Sequence, residues 1–82
     1  MVKLYNNDDI QRMITAVKRD KELCAKLFEQ LAIMGVCMSD TVAIGHVLKD
    51  GWYETFCRYD SAVCDHFIRA YELAKGRCLY AD

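Results

Sequence analysis

The stretch that decides the fold is residues 20–51, DKELCAKLFEQLAIMGVCMSDTVAIGHVLKDG. Its first half begins with Asp20, a residue type that caps helix N-termini, and ends at Gly35, where a left-handed residue commonly closes a helix. Between them, large apolar residues recur at helical spacing: Leu23, Leu27, Phe28, Leu31 and Met34. The second half predicts a shorter helix that ends at Asp50-Gly51, with apolar residues at Val42, Ala43, Ile44, Val47 and Leu48. The stretch therefore predicts two helices joined by a glycine turn.

Helical signals continue on the N-terminal side of this stretch and inside it. A capping sequence at residues 6–9 precedes apolar residues at helical spacing, and these predict a first helix over about residues 8–19. In the second half, Ser39 or Asp40 is the expected cap of the third helix.

On the C-terminal side, residues 52–59 predict a short fourth element with Trp52, Phe56 and Tyr59 turned into the core. Asp60-Ser61 is a further cap signal, and a fifth helix follows it. Its apolar stripe comprises Val63, Phe67, Ala70, Tyr71 and Ala74. Gly76 weakens this helix without necessarily ending it, because Leu79 and Tyr80 prolong the pattern.

Composition supports an all-α fold. The chain has 82 residues, no proline and only four glycines, whereas a β-sandwich or small barrel marks its many turns with both residue types. Its hydrophobic fraction of 54% is too high for a disordered segment. We therefore expect one domain over residues 1–82, a small bundle of four to five helices. A helix-turn-helix-like pair would lie in its core, at about residues 21–76.

Charge and cysteine usage limit the class of protein. Eleven basic residues against twelve acidic ones give a formal charge of -1, which argues against a polybasic nucleic-acid binder. Five cysteines, an odd number without a C-x-x-C pair, favour buried thiols in a reducing cytosol over a disulfide framework. The longest apolar run, residues 31–38, is too short to span a membrane. We expect a cytoplasmic protein.

The sequence offers little for catalysis or metal binding. Cys57, Cys64 and His66 lack the close ligand pair of a structural zinc site. Cys64, Asp65 and His66 are neighbours on a helix, so their side chains diverge and cannot form a nucleophile–base pair. We expect no enzyme activity, no catalytic residues, no metal and no cofactor.

Three stretches of the sequence occur in the same order as similar stretches in a known protein family. They are LFEQLAIMG at residues 27–35, TFCRY at 55–59 and FIRAYELAK at 67–75. Together they resemble the N-terminal helix-turn-helix DNA-binding domain of phage terminase small subunits, proteins that mark viral DNA for packaging. The resemblance covers about two-thirds of the chain and implies a phage protein in the host cytoplasm, with double-stranded DNA as its partner. Residues 49–51 depart from the Gly-Met-Pro type turn of that family, and the family's oligomerisation region has no counterpart here.

If residues 52–59 form the recognition helix, the residues that would contact DNA can be named. Arg58 would pair with a base or a phosphate, Tyr53 and Thr55 would offer hydroxyls to phosphates, and Lys49 would reach the DNA backbone. Glu54 opposes this interpretation, because a carboxylate repels phosphates. The alternative for Arg58 and Lys49 is that they are solvated surface charges.

A second hypothesis is a small phage-encoded regulator or inhibitor that binds a host or viral protein. Large aromatic residues crowd the last third of the chain beyond what a short helical hairpin can bury, and tyrosine and tryptophan favour interfaces. Tyr53 and Tyr80 are the expected contacts with such a partner. We also expect a homo-oligomer, because a domain of this size buries a limited core and a nearly neutral one binds DNA weakly as a single copy.

Overall fold

Four α-helices and one 3-10 helix follow one another along residues 5–76, the part of the chain that the computed structural model describes. They are α1 (Asn7–Arg19), α2 (Lys21–Ile33), α3 (Met38–Asp50), the 3-10 helix η1 (Tyr53–Arg58) and α4 (Ser61–Ala74). The described part contains no strand, and the predicted all-α bundle of four to five helices is confirmed. None of its helices is both long enough and apolar enough to cross a bilayer.

The first two helices begin at predicted caps. Asn6 and Asp9 form a reciprocal capping box: the Asn6 side chain accepts from the Asp9 N–H at 2.8 Å, and the Asp9 carboxylate accepts from the Asn6 N–H. Asp20 caps α2 by accepting from the N–H groups of Glu22 and Leu23. Each side chain satisfies backbone donors that the helix leaves unpaired.

The start of α3 differs from the prediction. Its N-cap is Cys37, not Ser39 or Asp40, and no side chain caps it. Instead, the Thr41 hydroxyl donates to the Cys37 carbonyl at 3.1 Å, and the Thr41 N–H donates to the same oxygen. Cysteine caps helices poorly, so the sequence signal pointed to the stronger capping residues that follow it.

Three helices end at glycines with left-handed backbone. Gly35, Gly51 and Gly76 have φ of 75°, 77° and 78°, a region that favours glycine. Helix α4 ends at Ala74, and its last turn closes through backbone bonds to Tyr71 and Leu73. Leu79 and Tyr80, which prolong its apolar pattern in the sequence, lie outside the described residues.

One hydrophobic core lies between all five helices. Its fully buried large side chains are Ile14, Val17, Leu27, Leu31, Ile44, Val47 and Phe67. Helices α2 and α4 form the most extensive helix pair, and η1 adds Phe56, whose ring centroid lies 5.3 Å from that of Phe67. The helix-turn-helix-like segment is therefore packed on α1 and has no separate core.

The expectation that Trp52 and Tyr59 face the core is wrong. Trp52 is 62% exposed and Tyr59 37%, while Phe56 is buried. The prediction assumed one α-helix over residues 52–59, but Trp52 and Tyr59 flank η1 with extended backbone, so helical spacing does not place them beside Phe56. Within η1, a 3-10 helix, residues three apart share a face. Tyr53 accordingly lies over Phe56, with the two rings edge to face and their centroids 6.4 Å apart.

Candidate binding surface around the 3-10 helix

A glutamine of α1 fixes the turn from which η1 begins. The Gln11 Nε2 donates to the Gly51 carbonyl at 2.7 Å, and its Oε1 accepts from the Tyr53 N–H at 2.6 Å. One amide thus satisfies a carbonyl at the end of α3 and an N–H at the start of η1. Sequence reasoning missed this clamp, because a single glutamine within an amphipathic helix gives no sign of a partner some forty residues away.

A carboxylate organises the other side of η1. The Asp50 Oδ2 accepts from the Thr55 hydroxyl at 2.8 Å and lies 3.8 Å from the Arg58 guanidinium. Thr55 is only 4% exposed, which corrects the expectation that its hydroxyl faces solvent. Arg58 remains largely exposed, and so does Lys49 at the end of α3.

The structure therefore brings only part of the predicted DNA-contact set together on the surface. Arg58 and Lys49 are accessible cations, whereas Thr55 is buried and Tyr53 is half-buried against Phe56. Whether any of them contacts DNA stays a prediction. Tyr80, the other expected partner contact, lies outside the described residues.

Aromatic residues flank η1 on the outside. Trp52 precedes the helix and Tyr59 follows it, while the charged residues Glu54 and Arg58 lie between them in the chain, all four being exposed. We call this set, together with the half-buried Tyr53, the η1 surface. It combines large apolar rings with charges of both signs, which is the composition of a protein interface with a polar rim.

The Tyr53 phenol and the Cys64 thiol stay protonated at neutral pH. Burial, followed by the neighbouring Cys57 and Cys64 thiols, raises the pKa of the Tyr53 phenol. Burial, followed by Asp65 and Cys57, raises the pKa of the Cys64 thiol to about 11. Because the thiolate is the reactive form, Cys64 is a poor nucleophile and a poor metal ligand at neutral pH.

The remaining polar features lie away from η1. His66 on α4 faces Asp40 on α3, with 3.6 Å between Nε2 and Oδ2. A shallow cleft of about 420 Å³ separates the start of α1 from the end of α4 and is lined by charges of both signs, including Asp9, Arg12 and Lys75. Among residues 5–76, histidine, cysteine and acidic residues form no group of three or more that could hold a metal ion.

Comparison with protein-family models, with curated proteins and with solved structures finds no match for this chain. The resemblance to terminase small subunits therefore stays a prediction. The fold and the η1 surface are the observations on which a function can be argued.

Proposed function

We propose that the chain is a non-enzymatic binding domain that docks on a partner protein through the η1 surface. The observation that carries this proposal is that Trp52 is 62% exposed, although the protein has a well-formed hydrophobic core. Tryptophan and tyrosine are the residue types most enriched among the side chains that dominate binding energy in protein interfaces. A small regulator or inhibitor of a host or viral protein fits this surface.

The charges of the η1 surface support a protein partner over a polyanion. Arg58, the cation of this surface, lies beside Asp50, and the carboxylate of Glu54 is exposed on the same short helix. A mixed surface of this kind gives little long-range attraction to phosphates, whereas it can form the rim of an interface.

The test is affinity purification from the cells in which the chain occurs, with full-length wild type, Trp52→Ala and Ile33→Ala as baits. Ile33 is a matched control, since it is 69% exposed and lies at the end of α2. We expect one stoichiometric protein with wild type and Ile33→Ala that is lost with Trp52→Ala, and the same pattern when that protein is purified and titrated. Equal recovery by all three baits would contradict the assignment of the surface.

Duplex DNA is a second candidate, favoured by the exposed cations Lys49 and Arg58 next to η1 and by the resemblance to terminase small subunits. Fluorescence anisotropy with duplex DNA at low salt tests it. Arg58→Ala should weaken binding and flatten its salt dependence, whereas Lys21→Ala, a change of the same charge at the start of α2, should have little effect. No anisotropy change at low salt and high protein concentration would exclude DNA as the partner.

A further inference from the structure

Four free cysteines lie among residues 5–76, and two of them belong to neighbouring elements. Cys57 is exposed on η1, and Cys64 is half-buried on α4. The chain leaves the core after Phe56 and returns to it at Phe67, with 5.3 Å between the centroids of the two rings. Cys57 directly follows the first ring, and Cys64 lies three residues before the second. The fold therefore brings both thiols to the contact between η1 and α4.

The side chains around these two cysteines show that the sulfurs are neighbours. The Tyr53 side chain is hydrogen-bonded to that of Cys57, and burial, followed by the Cys57 and Cys64 thiols, raises the pKa of its phenol. Burial, followed by Asp65 and Cys57, raises the pKa of the Cys64 thiol. Each cysteine therefore acts on the same phenol, and one acts on the other. We call Cys57 and Cys64 the thiol pair.

We propose that the thiol pair is a reversible redox site, at which Cys57 and Cys64 form a disulfide bond by exchange with a small disulfide such as oxidised glutathione. The Cys57 thiolate attacks one sulfur of the oxidant, so that a mixed disulfide forms and one glutathione thiolate leaves. The Cys64 thiolate then attacks the Cys57 sulfur and expels the second glutathione. Each protein thiol gives up a proton, each departing glutathione takes one up, and two electrons pass from the thiol pair to the oxidant.

The different environments of the two thiols set the order and the speed of these steps. Cys57 is accessible to a dissolved oxidant, whereas the half-buried Cys64, with a pKa of about 11, forms little thiolate at neutral pH. Attack by Cys64 is intramolecular, so a high effective concentration offsets part of this handicap. A reductant reaches the exposed Cys57 sulfur first and must expel Cys64, and a thiol of high pKa is a poor leaving group. The bond therefore closes slowly and opens slowly.

The bond has consequences for stability and for the η1 surface. It closes the loop of residues 57–64, and a loop of this length should raise the thermal midpoint by roughly 10 °C. The loop contains Arg58 and Tyr59, two members of the η1 surface, so oxidation restricts side chains to which we assign docking. This last consequence alone rests on the proposed function.

The test is peptide mapping of the monomer after the full chain has been incubated with oxidised glutathione at pH 8. Trypsin cleaves after Arg58, between the two cysteines, so the disulfide joins the peptides of residues 50–58 and 59–69. We expect this linked pair in wild type and its separation by dithiothreitol. The glutathione adduct on Cys57 should be lost faster as the pH rises, by about tenfold per unit between pH 7 and pH 9, because this step needs the Cys64 thiolate.

Two serine variants separate the thiol pair from the other cysteines. Cys64→Ser should keep the glutathione adduct on Cys57, with no linked peptides and no rise of the thermal midpoint. Cys37→Ser is the matched control: it removes the other exposed thiol, which lies 3.3 Å from the Ser39 hydroxyl before α3, and should leave the linked peptides unchanged.

Three results would overturn the proposal. They are thiols that stay free in wild type, a wild-type Cys57 that keeps its adduct as it does in Cys64→Ser, and a linkage of Cys57 to any cysteine other than Cys64. None of these measurements involves a partner, so they decide the redox site whether or not the η1 surface docks on a protein.

Discussion

Replacement of Gln11 by alanine should destabilise the protein far more than a typical change at a half-buried polar residue. The substitution removes the donor to the Gly51 carbonyl and the acceptor for the Tyr53 N–H, both part-buried groups. Substitutions of half-buried polar side chains without such partners usually change the free energy of unfolding by about 0.5 kcal/mol or less.

The magnitude follows from the two hydrogen bonds. Each contributes a net stabilisation of about 1 kcal/mol, and a partner left without water or protein contact adds to the cost. We therefore expect the free energy of unfolding to fall by about 2–3 kcal/mol. In a domain of this size, that corresponds to a thermal midpoint lower by roughly 10–20 °C.

The assay is urea unfolding followed by circular dichroism, with Gln30→Ala as the matched control. Gln30 is a half-buried glutamine of α2, so the control makes the same chemical change elsewhere in the bundle. Trp52, the single tryptophan, lies between Gly51 and Tyr53, and its fluorescence reports the clamped turn directly. In Gln11→Ala we expect the Tyr53 amide to lose hydrogen-exchange protection under conditions where the amides of α2 keep theirs.

The reasoning is refuted if Gln11→Ala and Gln30→Ala unfold at the same urea concentration. It is also refuted if the Tyr53 amide retains its protection in Gln11→Ala, because η1 would then be positioned by its packing alone. Gln11→Glu refines the measurement: its carboxylate can still accept from Tyr53 but cannot donate to Gly51, so at neutral pH it should recover no more than part of the lost stability.

Two further predictions concern the hydrophobic core and the Cys64 thiol. Phe67→Ala, which empties a fully buried position against Phe56, should lower the free energy of unfolding by about 3–5 kcal/mol, as measured by urea denaturation. With a pKa near 11, Cys64 should remain protonated at pH 8, and its alkylation rate with iodoacetamide, followed by mass spectrometry of peptides, should still be rising between pH 9 and pH 11. A Cys64 rate that reaches its plateau by pH 9 would contradict the raised pKa.

Much of the fold can be predicted from short-range signals. The bounds of α2 follow from Asp20 and Gly35 because a cap and a left-handed end are local interactions, encoded within a few residues. The start of α3 at Met38, with Cys37 as its N-cap, could not be predicted in this way, since no side chain caps it. Local sequence signals therefore predict where the helices lie more accurately than where each helix begins and ends.

The candidate site was harder to predict because it depends on long-range contacts. The α-helical spacing of Trp52 and Tyr59 predicts that both face the core, but both residues flank η1 with extended backbone and lie on the surface. Thr55 was assigned to solvent, but its hydroxyl is bonded to Asp50. The Gln11 clamp joins residues forty positions apart, and no pattern within a single sequence indicates such a pair.

The position of Asp50 gives the chain a built-in competitor for anions. Its carboxylate lies 3.8 Å from the Arg58 guanidinium, on the same molecule, and so acts at a high effective concentration that dilution cannot reduce. A phosphate or acidic side chain that binds Arg58 would compete with this carboxylate, which the hydrogen bond from Thr55 holds in place. Asp50→Asn would remove this competing negative charge and so strengthen the attraction of Arg58 for an external anion.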